Sequence, residues 1–162
     1  MFMRKLITVV ALVFSMGLAA QTKTYQGAWF SIDYPEDFTV KNSILSETRG
    51  DNTYDSATFT SPDKTVVFYV YSPQWSGTPS DITLKESGQQ QQLQADNLGN
   101  VITLYSFYQG KDKRTHSYQV TRNADQQITQ VIGLRYTSIK DYERYRKAYV
   151  DFKKSLKRYA VD

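Results

Sequence analysis

The stretch IKDYERYRKAYVDFKKSLKRY, residues 139–159, decides the fold class. Its apolar side chains fall at Ile139, Tyr142, Tyr145, Tyr149, Phe152, Leu156 and Tyr159, in steps of three or four. That spacing predicts an amphipathic helix over 139–159 with one face that has to be buried. Ser138 followed by Asp141 has the form of a capping box at its start. Burial of all seven side chains would make this helix a principal stabiliser.

Upstream of the helix the pattern changes period. Trp29 to Tyr34 alternates, with Phe30, Ile32 and Tyr34 on one side, as a half-buried strand does. Pro35 turns the chain, and Phe38 and Val40 resume the alternation. Residues 46–55 are polar and read as a loop. Ala57 and Phe59 suggest a short strand, and Thr65 to Tyr71 is apolar on both sides, which requires a sheet covered on both faces. Pro73, Gly77 and Pro79 leave the segment around Trp75 too interrupted for regular structure. The glutamines 89–92 fit either a short helix or a polar edge strand, and the Asn97-Leu98-Gly99-Asn100 turn, which would pair them with 101–108, favours the strand. Turn signals at 111–114 and 123–125 then divide 101–136 into a three-strand meander. The class is α+β, an antiparallel sheet closed by a long C-terminal amphipathic helix.

Residues 1–20 have the order of an export signal: Arg4 and Lys5, an apolar run from Leu6 to Leu18, and the small residues Ala19 and Ala20 before Gln21. The apolar run is shorter than the roughly 20 residues that span a bilayer. The expectation is one exported domain over 21–162, periplasmic or extracellular, with membrane attachment only through an uncleaved signal. The chain has no cysteine, which removes disulfides, thiol nucleophiles and thiolate metal sites.

The formal charge of +4 is uneven. Residues 140–158 carry eight Lys or Arg against Asp141, Glu143 and Asp151, whereas 21–139 carry ten basic residues against twelve acidic ones. A basic helix on a nearly neutral body is either a solvated face or a docking face for an acidic partner or an anionic envelope surface, with Lys147, Lys154 and Arg158 as its contacts. Nucleic acid does not fit an exported protein. Trp75 and Trp29 are candidates for an aromatic platform that takes a glycan or another flat ligand, or else they close a core.

No catalytic, cofactor or metal motif is visible. The sole histidine, His116, lies in a strand-like segment without a recognisable partner. Asp51, Asn52 and Asp55 lack the spacing of a calcium loop. Arg49-Gly50-Asp51 matches an integrin-binding tripeptide and Asp55-Ser56-Ala57 an O-glycosylation acceptor, both too short to be specific. The leading expectation is a non-catalytic accessory protein of the cell envelope that docks a protein partner through the basic helix face, Trp75 or both. A small-ligand or glycan-binding module is the alternative, and a hydrolase without a recognisable motif the lesser one.

Three segments in this order resemble PsbP-like proteins: residues 27–40 with their aromatic strand and Tyr34-Pro35 turn, residues 55–71, and the closing helix with Tyr145, Tyr149 and Phe152 to Leu156. The resemblance implies an antiparallel sheet sandwiched between helices, a PsbP-like α/β/α sandwich. It also implies binding and assembly roles, since members include an extrinsic subunit of photosystem II and a nuclear import factor that binds a small GTPase.

Overall fold

A computed structural model describes residues 21–84 and 88–159, so the signal-like segment lies outside the described residues. Ten strands and one helix follow in the order β1 (Thr22–Gln26), β2 (Phe30–Pro35), β3 (Thr39–Asn42), β4 (Ser56–Thr60), β5 (Val66–Tyr71), β6 (Gln89–Ala95), β7 (Val101–Gln109), β8 (Arg114–Arg122), β9 (Ile128–Tyr136), α1 (Ile139–Ser155) and β10 (Lys157–Arg158). Seven strands form an antiparallel sheet in the order β3-β4-β5-β9-β8-β7-β6, and β1-β2-β10 form a small second sheet.

All six residues of β5 are buried. Successive side chains leave a strand on opposite faces, so β5 feeds two cores. Val66, Phe68 and Val70 join Phe59, Ile132, Leu134, Phe30 and Ile32 beneath α1, through Tyr149 and Phe152. Tyr69 and Tyr71 join Tyr105, Phe107, Tyr118, Val120 and Val131 on the other face.

That second face departs from the expected sandwich. Among the described residues α1 is the only helix, and the opposite side is covered by loop residues Ile44, Ile82 and Leu84. Pro73 and Pro79 withhold two backbone N–H groups and Gly77 adds chain freedom, so the 72–84 connection crosses the sheet as irregular chain. The α+β class and the antiparallel sheet stand, and the sandwich is met only roughly, with one helix among the described residues.

The helix begins as its cap signals. Ser138 Oγ accepts the Asp141 N–H at 3.2 Å, while its hydroxyl donates to the Asp141 carboxylate at 2.6 Å, so the acid reaches the side chain of the cap. Its end is earlier than the periodicity predicts. The chain turns extended at Leu156 (ψ 120°), and Lys157 and Arg158 pair with Ser31 and Phe30. β2 has β1 on one edge and an open edge on the other, and the backbone groups of that edge need partners. Ser155 begins the satisfaction by accepting the Asp33 N–H at 2.8 Å, and Tyr159 N–H donates to the Trp29 carbonyl at 2.9 Å. Only Tyr149 and Phe152 of α1 are fully buried, and Ile139 is 66% exposed, so the helix buries fewer side chains than its stripe suggests.

The helix start is also tied to the β4–β5 turn, since Arg144 meets Asp63 at 2.6 Å. Against its own desolvation, donors from Ser61, Thr65 and Tyr145 hold the Asp63 carboxyl down at about 2. A depressed carboxyl contributes stability above its unfolded pKa and loses it as pH falls through the folded one. Asp63→Asn is therefore expected to lower stability at pH 7 by about 1 kcal/mol, a difference that disappears near pH 2 in acid titrations of urea midpoints. Phe152, in edge and tilted contact with Phe59 and Phe68 at 5.2 and 5.1 Å, is the sharper test. Phe152→Ala is expected to cost ~3–5 kcal/mol in chemical denaturation.

Candidate functional site

Three of the five residues singled out from sequence converge on one end of the molecule. Trp75, on the β5–β6 connection, is 65% exposed, and Leu45, on the β3–β4 connection, is 55% exposed. Both line a cavity of about 320 Å³ whose wall includes Thr48, Asp55, Tyr71 and Pro73. Trp29 reaches the cavity only through its wall, because its indole N–H donates to Thr48 Oγ1, on the β3–β4 connection, at 2.8 Å. Arg158 supports the other side by donating to the Pro73 carbonyl at 3.2 Å.

The Trp75 loop is irregular but fixed on both sides of the tryptophan. Ser72 N–H donates to the Asp55 carbonyl at 2.8 Å, Gly77 N–H to the Ile128 carbonyl at 2.9 Å, and Ser76 Oγ to Gln127 at 3.1 Å. Gly77 lies so close to the Tyr71 hydroxyl that a Cβ there would come within 2.5 Å of it. The loop thus holds a large apolar side chain in water on an ordered frame.

Trp29 is not a free platform. The Arg49 guanidinium lies 5.0 Å from the centre of its ring and 5.5 Å from that of Tyr159, and also donates to the Ala28 carbonyl. Arg49 of the Arg-Gly-Asp tripeptide is therefore engaged within the fold. Ser56 of the acceptor-like tripeptide is fully buried, its hydroxyl bonded to Asp81 at 2.7 Å.

The helix candidates lie apart. Lys147 pairs with Asp151 at 2.7 Å beside a second cavity of about 250 Å³ that includes Asp33 and Tyr34. Lys154 is exposed and has no ion pair among the described residues. Much of the basic charge is used locally: Arg144 bridges Asp63 and Asp141, Arg146 faces Glu143, and Lys153 lies 4.7 Å over the Tyr149 ring. Burial lowers the pKa of both Lys153 and Arg158.

Asp55 and Leu45 were not read from sequence as parts of one site. Asp55 Oδ1 is buried without a hydrogen-bond partner. Burial pushes its carboxyl above 3.8, with Glu47 adding to the rise and Ser46 opposing it. The same charge, after burial itself, helps push the Tyr71 phenol up to about 12. Among the described residues no three His, Asp or Glu side chains are grouped to hold a metal ion, and no helix is long and apolar enough to cross a membrane.

No protein-family model and no curated protein matches the chain. Among solved structures it is similar to the solution structure of cyanobacterial PsbP (CyanoP) from Synechocystis sp. PCC 6803, at 14% identity over 88% of this chain and 96% of that one, with a TM-score of 0.45. The chain bears a loose PsbP-like resemblance.

A carboxyl with a raised folded pKa costs stability as pH climbs from its unfolded value through the folded one. Asp55→Asn removes that cost. The variant is expected to gain stability relative to the wild type as pH rises above about 4, read from melting temperatures across pH 3 to 7. Arg158→Ala, which frees the Pro73 carbonyl, is expected to destabilise by about 1–2 kcal/mol.

Proposed function

We propose that this chain is an exported, non-catalytic binding protein of the cell envelope that docks a protein partner through its Trp75 end. The observation that carries the reading is that exposed Trp75 and exposed Leu45 line one cavity, on loops held by backbone hydrogen bonds. A solvent-exposed tryptophan on an ordered frame has little conformational entropy left to lose on binding. Buried aromatic anchors supply most of the free energy of protein interfaces. The basic helix contributes less, because Lys147 and its neighbours are paired within the chain, leaving Lys154 as its free charge among the three helix-face candidates.

A ligand-binding reading is favoured by the cavity beside Trp75, which joins an aromatic wall to the acceptor side chain of Asp55. A sugar ring stacks on an indole and donates hydroxyls to a carboxylate. The two readings separate in one set of variants.

With the partner isolated by cross-linking in the native cell, Trp75→Ala is expected to weaken its affinity about 30-fold, the loss of a 2 kcal/mol anchor, while the melting temperature stays near that of the wild type. Lys147→Glu with Lys154→Glu is expected to lower affinity far less. Full binding by Trp75→Ala would remove this surface from the reading. A saturable fluorescence change of Trp75 with a glycan, and none with any protein, would establish the ligand reading instead.

A further inference from the structure

The face of the large sheet away from α1 contains a second polar site, distinct from the Trp75 end. Phe107, His116 and Arg135 are direct cross-strand partners on β7, β8 and β9. His116 stacks on Phe107 at 5.1 Å, and its Nε2 lies 2.7 Å from the Asp112 carboxylate and its Nδ1 3.1 Å from the Tyr118 hydroxyl. Tyr118 packs over Gly133, where a Cβ would come within 2.4 Å of its ring, so the glycine makes room for the phenol. Ser80 to Thr83 and the β7–β8 turn wall off a cavity of about 290 Å³ above His116, Tyr118 and Arg135, with Lys111 on its lining.

The charges in this cavity are not balanced alike. Asp81 accepts from Tyr69 at 2.6 Å and from Ser56 at 2.7 Å, and Asp112 accepts from His116 and from the Arg114 N–H at 3.1 Å. Each carboxylate therefore has two donors. Arg135 has none of the reciprocal satisfaction: its Nε is buried without a hydrogen-bond partner, and among the described residues its guanidinium makes no ion pair. An unpaired buried donor is a standing cost in free energy. An anion in the cavity would give the Arg135 guanidinium the charge partner that it lacks within the chain.

We propose that this cavity binds the oxyanion of a small carboxylate- or phosphate-bearing molecule, with Arg135 as its anchor. A guanidinium presents a planar fork that matches the two oxygens of a carboxylate or phosphate. Lys111 adds a second positive charge at the cavity wall. The carboxylates of Asp81 and Asp112 oppose an anion, but their donors already meet them, and they hold Tyr69 and His116 in place. The volume is at the small end of the roughly 300–1,000 Å³ usual for small-molecule sites, which suits a short-chain acid or a small phosphate monoester.

The single histidine gives a direct readout, since its ring signals in nuclear magnetic resonance belong to one residue on the cavity floor. Inorganic phosphate, acetate and succinate are titrated separately into the protein at constant ionic strength, with sodium chloride as the reference salt. The expected result is a saturable shift of the His116 ring with phosphate or with a carboxylate, the responding probe naming the headgroup. Arg135→Lys keeps the charge and the aliphatic stem but loses the fork, and it is expected to weaken binding at least tenfold. Because the lost Nε is an unsatisfied buried donor in the free protein, the same variant is expected to melt no lower than the wild type when no anion is added. Lys111→Gln is expected to weaken binding less than Arg135→Lys. No saturable shift with any of the three probes overturns the proposal, as does unchanged affinity in Arg135→Lys.

Discussion

Burial of β5 on both faces is the constraint from which the rest of the structure follows. Six consecutive large side chains, Val66 to Tyr71, have no solvent-facing side, so the chain has to supply two covers. The first is an aromatic layer in which Phe68 meets Phe38, Tyr149 and Phe152 at 5.0 to 5.2 Å, and it brings α1 and the small sheet onto the same face. Tilted and edge-on ring pairs of this kind add specific geometry to plain area burial. The second cover is irregular chain.

A loop cannot cover a sheet as a helix does. A helix satisfies its own backbone and presents a stripe of apolar side chains, whereas irregular chain has to place hydrogen-bonding groups against the surface it covers. The second face is accordingly tyrosine-rich and polar at its margin. Tyr69 donates to Asp81, which the loop itself contributes, and Tyr118 and His116 meet beside Asp112. The same loop, pinned at Ser72, Pro73 and Gly77, projects Trp75 outward. Loop cover and exposed aromatic are thus two results of one structural choice.

Much of the candidate site was hidden from sequence for reasons of distance along the chain. Trp75 stood out because prolines and a glycine bracket it. Leu45 did not, and Asp55 was weighed only for calcium and as part of an acceptor-like tripeptide, because both join Trp75 only through the folding of β4 against β5. His116 lacked a visible partner in sequence, although Asp112 and Tyr118 are four and two residues away. A two-residue step on a strand puts Tyr118 on the same face, and the turn at Lys113, with φ of 55°, folds Asp112 back over the ring. Trp29 as a platform was lost to Arg49, a cation twenty residues further on that no local pattern pairs with it.

The sequence by itself determined the elements whose signals are local: the alternation of β2 and β4, the all-apolar β5, the β6–β7 turn in which Gly99 adopts φ of 81°, the three-strand meander, and the capped start of α1. These depend on periodicity and on backbone conformations that neighbouring residues fix. Tertiary structure alone decided the rest. β1 is a polar edge strand without a pattern of its own, and it exists because β2 offers it hydrogen bonds. The helix stops at Ser155, although its apolar spacing continues to Tyr159, because the other edge of β2 takes Lys157 and Arg158 into a strand. An unsatisfied strand edge outweighs one more turn of marginal helix, and that competition is settled between residues more than a hundred positions apart.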